Sequence, residues 1–143
     1  MKTAMIIASD AGARTAGIIR EELGKEVDLF SVSERSGCVR IDSITDFTLR
    51  HFGDYEAFVF IGAMGICVRA IAPCVTSKYA DPAVVNVDAT GHFVVSVLAG
   101  HVGGANALTE RLARILGAQP VVTTQSDNTG LWALDLLGKE NGW

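Results

Sequence analysis

The chain has 143 residues, of which 49% are hydrophobic and 20% charged, with a formal charge of −4 at neutral pH. At roughly 100–200 residues per domain this is a single domain, apolar enough to bury a core unaided and too weakly charged to stay disordered. The acidic balance leaves no basic excess to neutralise nucleic-acid phosphates, and the longest apolar stretch, Ala57 to Val68, is broken by Gly62 and Gly65 well short of the roughly 20 residues a membrane-spanning helix needs.

Thr3–Ala8 is a short apolar run that reads as a buried first strand, too brief for the apolar region of a signal peptide. Ser9–Gly12 is a turn, and Ala13 to Leu23 is a helix with Ala16, Ile19 and Leu23 on one face and Gly24 as its stop. Val27–Phe30 is a second strand, and Ser33 to Arg40 a polar loop. Asp42 or Ser43 caps a helix that runs to Phe52, with Ile44, Phe47 and Leu49 as its apolar positions. Ala57–Ile61 is a third strand; Gly62–Gly65 leads from it into a short helix that ends before Pro73. Ala83–Val87 and Phe93–Leu98 flank Asp88–Gly91 as a hairpin. Asn106 to Leu116 is a helix with Leu108, Leu112, Ile115 and Leu116 on one face and Gly117 at its end; Pro120–Val122 is a last short strand and Trp132–Lys139 a last helix.

Strands that alternate with helices predict a three-layer α/β/α domain over residues 1–143, with a mostly parallel sheet made mixed by the hairpin. The final Glu140–Trp143 reads either as entry into a further element or as an aromatic end tucked onto the domain. Three cysteines, Cys38, Cys67 and Cys74, without a C-x-x-C, make neither a disulfide framework nor a zinc cage, and suit a reducing cytoplasm. Cys67 and Cys74 are expected to pack in the core.

Three glycine-bearing turns follow strands: Ser9–Gly12, Gly62–Gly65 and Gly100–Gly104. Ligands of open α/β sheets gather beyond strand ends, where helix N-termini present unpaired N–H groups to anions. The three turns are expected to converge on one face as a set of backbone donors. Neither the P-loop nor the G-x-G-x-x-G spacing is present, so a nucleotide- or flavin-binding module is the alternative. His101, between glycines at a strand-to-helix junction, is the candidate general base. His51 reads as a residue at a helix C-terminus, where the dipole favours a cation, and His92, beside the hairpin turn, as solvated; no metal site is expected. Arg69 reads as a carboxylate clamp or a surface arginine, and Asp88 as a turn residue or a supporting acid. Thr123–Asp127 forms a donor-rich rim or a helix cap.

The run Phe58–Pro73 (FVFIGAMGICVRAIAP) resembles the signature of the cobalt-precorrin-5A hydrolase family of anaerobic cobalamin biosynthesis. Asp81–Val85 with Asp88, Ala99–Asn106, and Thr123–Asp127 with Gly130 and Asp135 extend the resemblance in order, from about Asp54 to Leu137. It implies the N-terminal domain of a longer or fused protein that hydrolyses the δ-lactone of cobalt-precorrin-5A, expels acetaldehyde and yields cobalt-precorrin-5B. It also implies a cobalt-corrinoid substrate fringed with carboxylates, no separate cofactor, possible partnership with other cobalamin-pathway enzymes, and no nucleic-acid or membrane partner. Carried onto this chain, His101 is the base and Asn106 orients substrate or water. Gly62, Gly65, Arg69, Gly100, Gly103, Gly104, Thr124 and Asp127 contact substrate, with the amides around Gly103 and Gly104 as oxyanion donors. The chain departs from the family at Ala99, where Ser is usual, and at Ala89, where Glu is frequent. A non-catalytic corrinoid-binding domain is the other reading.

Overall fold

The computed structural model describes residues 1–100 and 102–124. His101 and the expected features beyond Thr124 (Asp127, Gly130, the helix Trp132–Lys139 with Asp135, and Trp143) lie outside the described residues, whereas the last strand, expected over Pro120–Val122, runs over Gln119–Val121.

Seven strands form one sheet: β1 (Thr3–Ile7), β2 (Val27–Ser31), β3 (Val39–Arg40), β4 (Ala57–Ile61), β5 (Ala83–Val87), β6 (Phe93–Leu98) and β7 (Gln119–Val121). Their order is β3-β2-β1-β4-β5-β6-β7. The helices are α1 (Ala13–Leu23), α2 (Ile44–His51), α3 (Met64–Ile71) and α4 (Ala105–Leu116). The three layers of the sequence reading are therefore present, with α1 and α4 on one face and α2 and α3 on the other.

Alternation along the strands builds both cores at once, because successive side chains leave a strand on opposite sides. Met5, Ile7, Val59, Ile61, Val85 and Val87 pack with Ile19, Leu108 and Leu112 of α1 and α4. Ala4, Ile6, Phe58, Phe60 and Val84 pack with Phe47, Cys67 and Ile71 of α2 and α3. The second layer is aromatic: the Phe30 and Phe47 rings lie 4.3 Å apart and Phe52 and Phe58 5.5 Å apart, within the range in which ring pairs attract. Helix ends follow the expected chemistry. Ser43, rather than Asp42, accepts the Asp46 N–H as N-cap of α2, and Gly24 and Gly117, both at positive φ, close α1 and α4.

Two local readings are corrected. The Ser33–Arg40 loop contains β3, a two-residue strand parallel to β2 that is too short to leave a hydrophobic pattern. Leu49 is 56% exposed, because the buried stripe of α2 runs through Phe47 and Thr48 and Leu49 falls off it.

Strand direction decides where the turns sit. β1, β2, β3, β4 and β5 are mutually parallel, whereas β6 is antiparallel to β5 and β7 follows β6. The turns after β1 and β4 thus open on one edge of the sheet, and the turn after β6 opens on the opposite edge. Local contacts agree: Gly62 N–H donates to the Val87 carbonyl at the end of β5, whereas a Cβ on Gly103 would come within 3.3 Å of the Ala83 nitrogen at its start. The expected convergence of all three glycine turns on one face is overturned. The hairpin that makes the sheet mixed also reverses the strand that delivers the third turn.

Candidate functional site

The turn from β6 to α4 is the most constrained part of the described chain. β6 carries a bulge: Val84 pairs with Leu98 but Val85 with Ser96, which leaves Val97 extra. Without it Ser96 and Leu98 would share a face; with it Leu98 packs into the α2/α3 layer while Ser96 reaches α4. Ala99 follows, buried, with φ of 59°, the only non-glycine at positive φ among the described residues. A left-handed backbone costs an L-residue roughly 1–2 kcal/mol, so its surroundings must hold it there. They do so through two bonds: the Ala105 N–H donates to the Ala99 carbonyl at 3.1 Å, and the Asn106 N–H to the Gly100 carbonyl at 3.0 Å. The first two donors of α4 are thereby engaged inside the turn, and any anion at this junction must use the amides that precede them.

Asn106, 9% exposed, ties three segments together. Its Oδ1 accepts from Ser96 Oγ at 2.7 Å, and its Nδ2 donates to Thr124 Oγ1 at 2.8 Å, beyond the end of β7. The glycines of the turn are sterically required. A Cβ on Gly100 would lie 2.6 Å from Thr124 Cγ2 and 2.7 Å from Asn106 Oδ1, and one on Gly103 would lie 2.6 Å from Ala99 Cβ. Gly104 has φ of 86° and caps α4 without a side-chain bond. Beside it lies an apolar pocket of about 200 Å³ lined by Met1, Gly104, Ala107, Leu108 and Arg111. Two larger cavities lined by described residues, of about 380 and 370 Å³, lie elsewhere: one between β3 and α2 around Arg40, Arg50 and His51, the other beside α1 around Arg35 and Cys38.

The structure therefore divides the predicted site residues. Gly100, Gly103, Gly104, Asn106 and Thr124 come together at the β6–α4 turn, on the edge where β5 begins. Gly62, Gly65 and Arg69 sit on the opposite edge, beyond the end of β4, separated from the first group by the length of β5, four steps of roughly 3.3 Å. There the Arg69 guanidinium folds back over Gly65, is exposed, and has no carboxylate partner among the described residues. Gly62, at φ of 152°, lies against Ala8, where a Cβ would come within 2.7 Å of the Ala8 Cβ.

The remaining titratable candidates settle into structural places. Asp88 is a turn residue. Burial works against its charge, but bonds from the Thr90 hydroxyl and from the Phe93, His92 and Thr90 N–H groups outweigh it and hold the carboxyl below its usual range. His92 is exposed and pairs with Thr90 at 2.8 Å, and His51 pairs with Asp54 at 2.9 Å at the end of α2. Burial pushes the Cys67 thiol up to about 12 and raises Cys74 as well, so both are packing groups. Among the described residues no cluster of His, Cys, Asp and Glu could hold a metal, and no helix is long and apolar enough to cross a membrane. Sequence reasoning missed Ser96. Its signal was a lone hydroxyl in the apolar run Phe93–Leu98, two residues from Val94 and so on its face, but only the packed layers tell that α4 covers that face.

The family model described as Cobalamin synthesis G N-terminal matches residues 46–127. The chain is 56% identical over 86 residues to the cobalt-precorrin-5A hydrolase of Salmonella typhimurium, covering 60% of this chain and 24% of that protein. It is 48% identical over 92 residues to the cobalt-precorrin-5A hydrolase of Priestia megaterium, covering 64% of this chain and 25% of that protein. The chain thus spans about a quarter of the length of these relatives. Among solved structures, a cobalamin biosynthesis protein G homologue from Sulfolobus solfataricus superposes with a TM-score of 0.67 at 27% identity, over 85% of this chain and 36% of that one.

Proposed function

Because the chain belongs to the cobalamin synthesis G N-terminal family, we propose that it serves the hydrolysis of cobalt-precorrin-5A, opening the δ-lactone and releasing acetaldehyde to leave cobalt-precorrin-5B. The observation that carries this reading is the span of the family match, which contains the whole β6–α4 turn with Ser96, Asn106 and Thr124. A buried polar tie beneath a strained, glycine-walled turn is what a fixed reaction geometry requires.

In this reading His101, which follows Gly100 in the sequence, takes a proton from water as the water attacks the lactone carbonyl. The amides around Gly103 and Gly104 hold the tetrahedral oxyanion, and its collapse breaks the ring C–O bond to leave a carboxylate and an alcohol. The alcohol then gives up its proton as the C–C bond to the macrocycle breaks. Its carbon leaves as the carbonyl of acetaldehyde, and the electron pair remaining on the ring carbon takes up a proton. The cobalt is carried by the substrate. The apolar pocket beside Gly104, with Arg111 at its rim, suits an edge of the macrocycle bearing an acidic arm. Arg69, on the other edge, takes no part in the chemical step; with Gly62 and Gly65 it is assigned a separate carboxylate contact.

The test mixes the full protein with cobalt-precorrin-5A and follows acetaldehyde by coupled alcohol dehydrogenase alongside the visible spectrum. Stoichiometric acetaldehyde is expected, and His101→Ala is expected to keep the spectral shift while losing most turnover. A shift without acetaldehyde from the unaltered protein would replace hydrolysis by corrinoid binding alone, and full turnover by His101→Ala would remove the histidine from the mechanism.

A further inference from the structure

The amide of Asn106 is engaged at both ends, by the Ser96 hydroxyl on its oxygen and by the Thr124 hydroxyl on its nitrogen, and the residue is buried. A side chain bonded at both ends is fixed within the fold, and it holds the frame of the turn. Its own N–H fixes the Gly100 carbonyl, Ser96 belongs to the bulged strand that enters the turn, and Thr124 closes over Gly100 from the far side. We infer that Asn106 is a positioning residue: the Ser96–Asn106–Thr124 tie locks the turn between β6 and α4, and with it the segment after β7, into the single shape in which substrate is turned over. The inference rests on the hydrolase reading given above and reassigns Asn106 and Thr124 within it, from substrate contacts to supports.

Three features argue that the tie serves geometry rather than stability alone. It joins separate segments of the chain, Ser96 and Asn106 being 10 positions apart and Asn106 and Thr124 18 apart. It packs against Gly100, the residue after Ala99, whose strained conformation the turn depends on. And the bulge in β6, which costs a ladder position, falls directly after Ser96 and sends Leu98 to the other layer, so that Ser96 is the last side chain of the strand to face α4.

Thr124→Val tests this with little steric change, since valine keeps the methyl that packs over Gly100 and removes only the oxygen. With the full protein and cobalt-precorrin-5A, kcat is expected to fall by about 100-fold, the loss a misplacement of about 1 Å can cause, while KM stays within about twofold. Thr124→Ser, which restores the oxygen, is expected to recover most of kcat. Ser96→Ala combined with Thr124→Val is expected to lose much less than the product of the two single losses, because both act through one amide. Amide hydrogen exchange at Ala105 and Asn106 is expected to quicken in Thr124→Val without substrate present, so the tie is readable even if the protein turns over nothing. Absence of acetaldehyde from the unaltered protein would defeat the hydrolase reading and with it the role in turnover. Unchanged exchange in Thr124→Val would defeat the tie itself. An active protein whose Thr124→Val variant keeps kcat, or raises KM alone, would show that Thr124 is ornamental or touches substrate, and either result overturns the inference.

Discussion

Gly103→Ala probes the turn where its walls are closest. The added methyl would lie 2.6 Å from Ala99 Cβ, 3.0 Å from the Ala99 carbonyl oxygen and 3.3 Å from the Ala83 nitrogen. Carbon atoms in contact prefer about 3.5–4.0 Å, so the first approach is short by roughly 1 Å. Ala99 cannot easily give way, since it is buried, sits at φ of 59°, and its carbonyl already accepts the Ala105 N–H. Overpacking of this kind costs typically about 1–3 kcal/mol, and with two backbone atoms among the obstacles the upper end is expected. For a domain of this length a loss of about 3 kcal/mol lowers the melting temperature by roughly 10 °C. The assay is thermal unfolding followed by circular dichroism, beside Gly103→Ala/Ala99→Gly. The double variant removes both the 2.6 Å contact and the left-handed strain, and is expected to regain about half of the loss. A single variant that melts within 2 °C of the parent, or a double variant no better than the single, would refute the account of the turn as a sterically closed, over-determined element.

Three further outcomes are expected. Gly17 is an exposed mid-helix glycine of α1 with nothing within 4 Å of an added Cβ, so Gly17→Ala should raise stability by up to about 1 kcal/mol in urea unfolding. Because the folded-state carboxyl of Asp88 is held below the usual carboxylate range, its stabilising contribution is fully present above the unfolded value and is lost as pH falls through the depressed folded value. Asp88→Asn should accordingly flatten the acid limb of a plot of unfolding free energy against pH, and an unaltered limb would contradict the assignment. Cys67, fully buried with its thiol pushed up to about 12, should resist alkylation at pH 8 in the native protein and react once the chain is unfolded, as peptide mass mapping would reveal.

Most elements were legible in the chain itself because local rules and tertiary packing agree there. The apolar runs Ala57–Ile61 and Ala83–Val87 are strands with the expected bounds, and Gly24 and Gly117 stop their helices where a residue at positive φ is required. β3 escaped because two residues carry no periodicity, and Leu49 was misplaced because an eight-residue helix leaves its buried stripe poorly defined. The family resemblance was readable from ordered motifs, and the family match over residues 46–127 agrees with it.

By itself, the order of residues determined the layered α/β class, the identity of the glycine-walled turns and the kinship with the cobalamin family, because each is written in short-range pattern or in motif. Only the tertiary structure decided which turns face each other. One antiparallel pairing, β5 with β6, sends the Gly100–Gly104 turn to the edge opposite Gly62–Gly65, and strand direction is a property of the hydrogen-bonded sheet that no single strand encodes. The same holds for Asn106. Its type suggested a polar role, but its partners Ser96 and Thr124 meet it only once β6 has paired with β5, so that α4 covers the Ser96 face, and its parallel neighbour β7 has brought up the other.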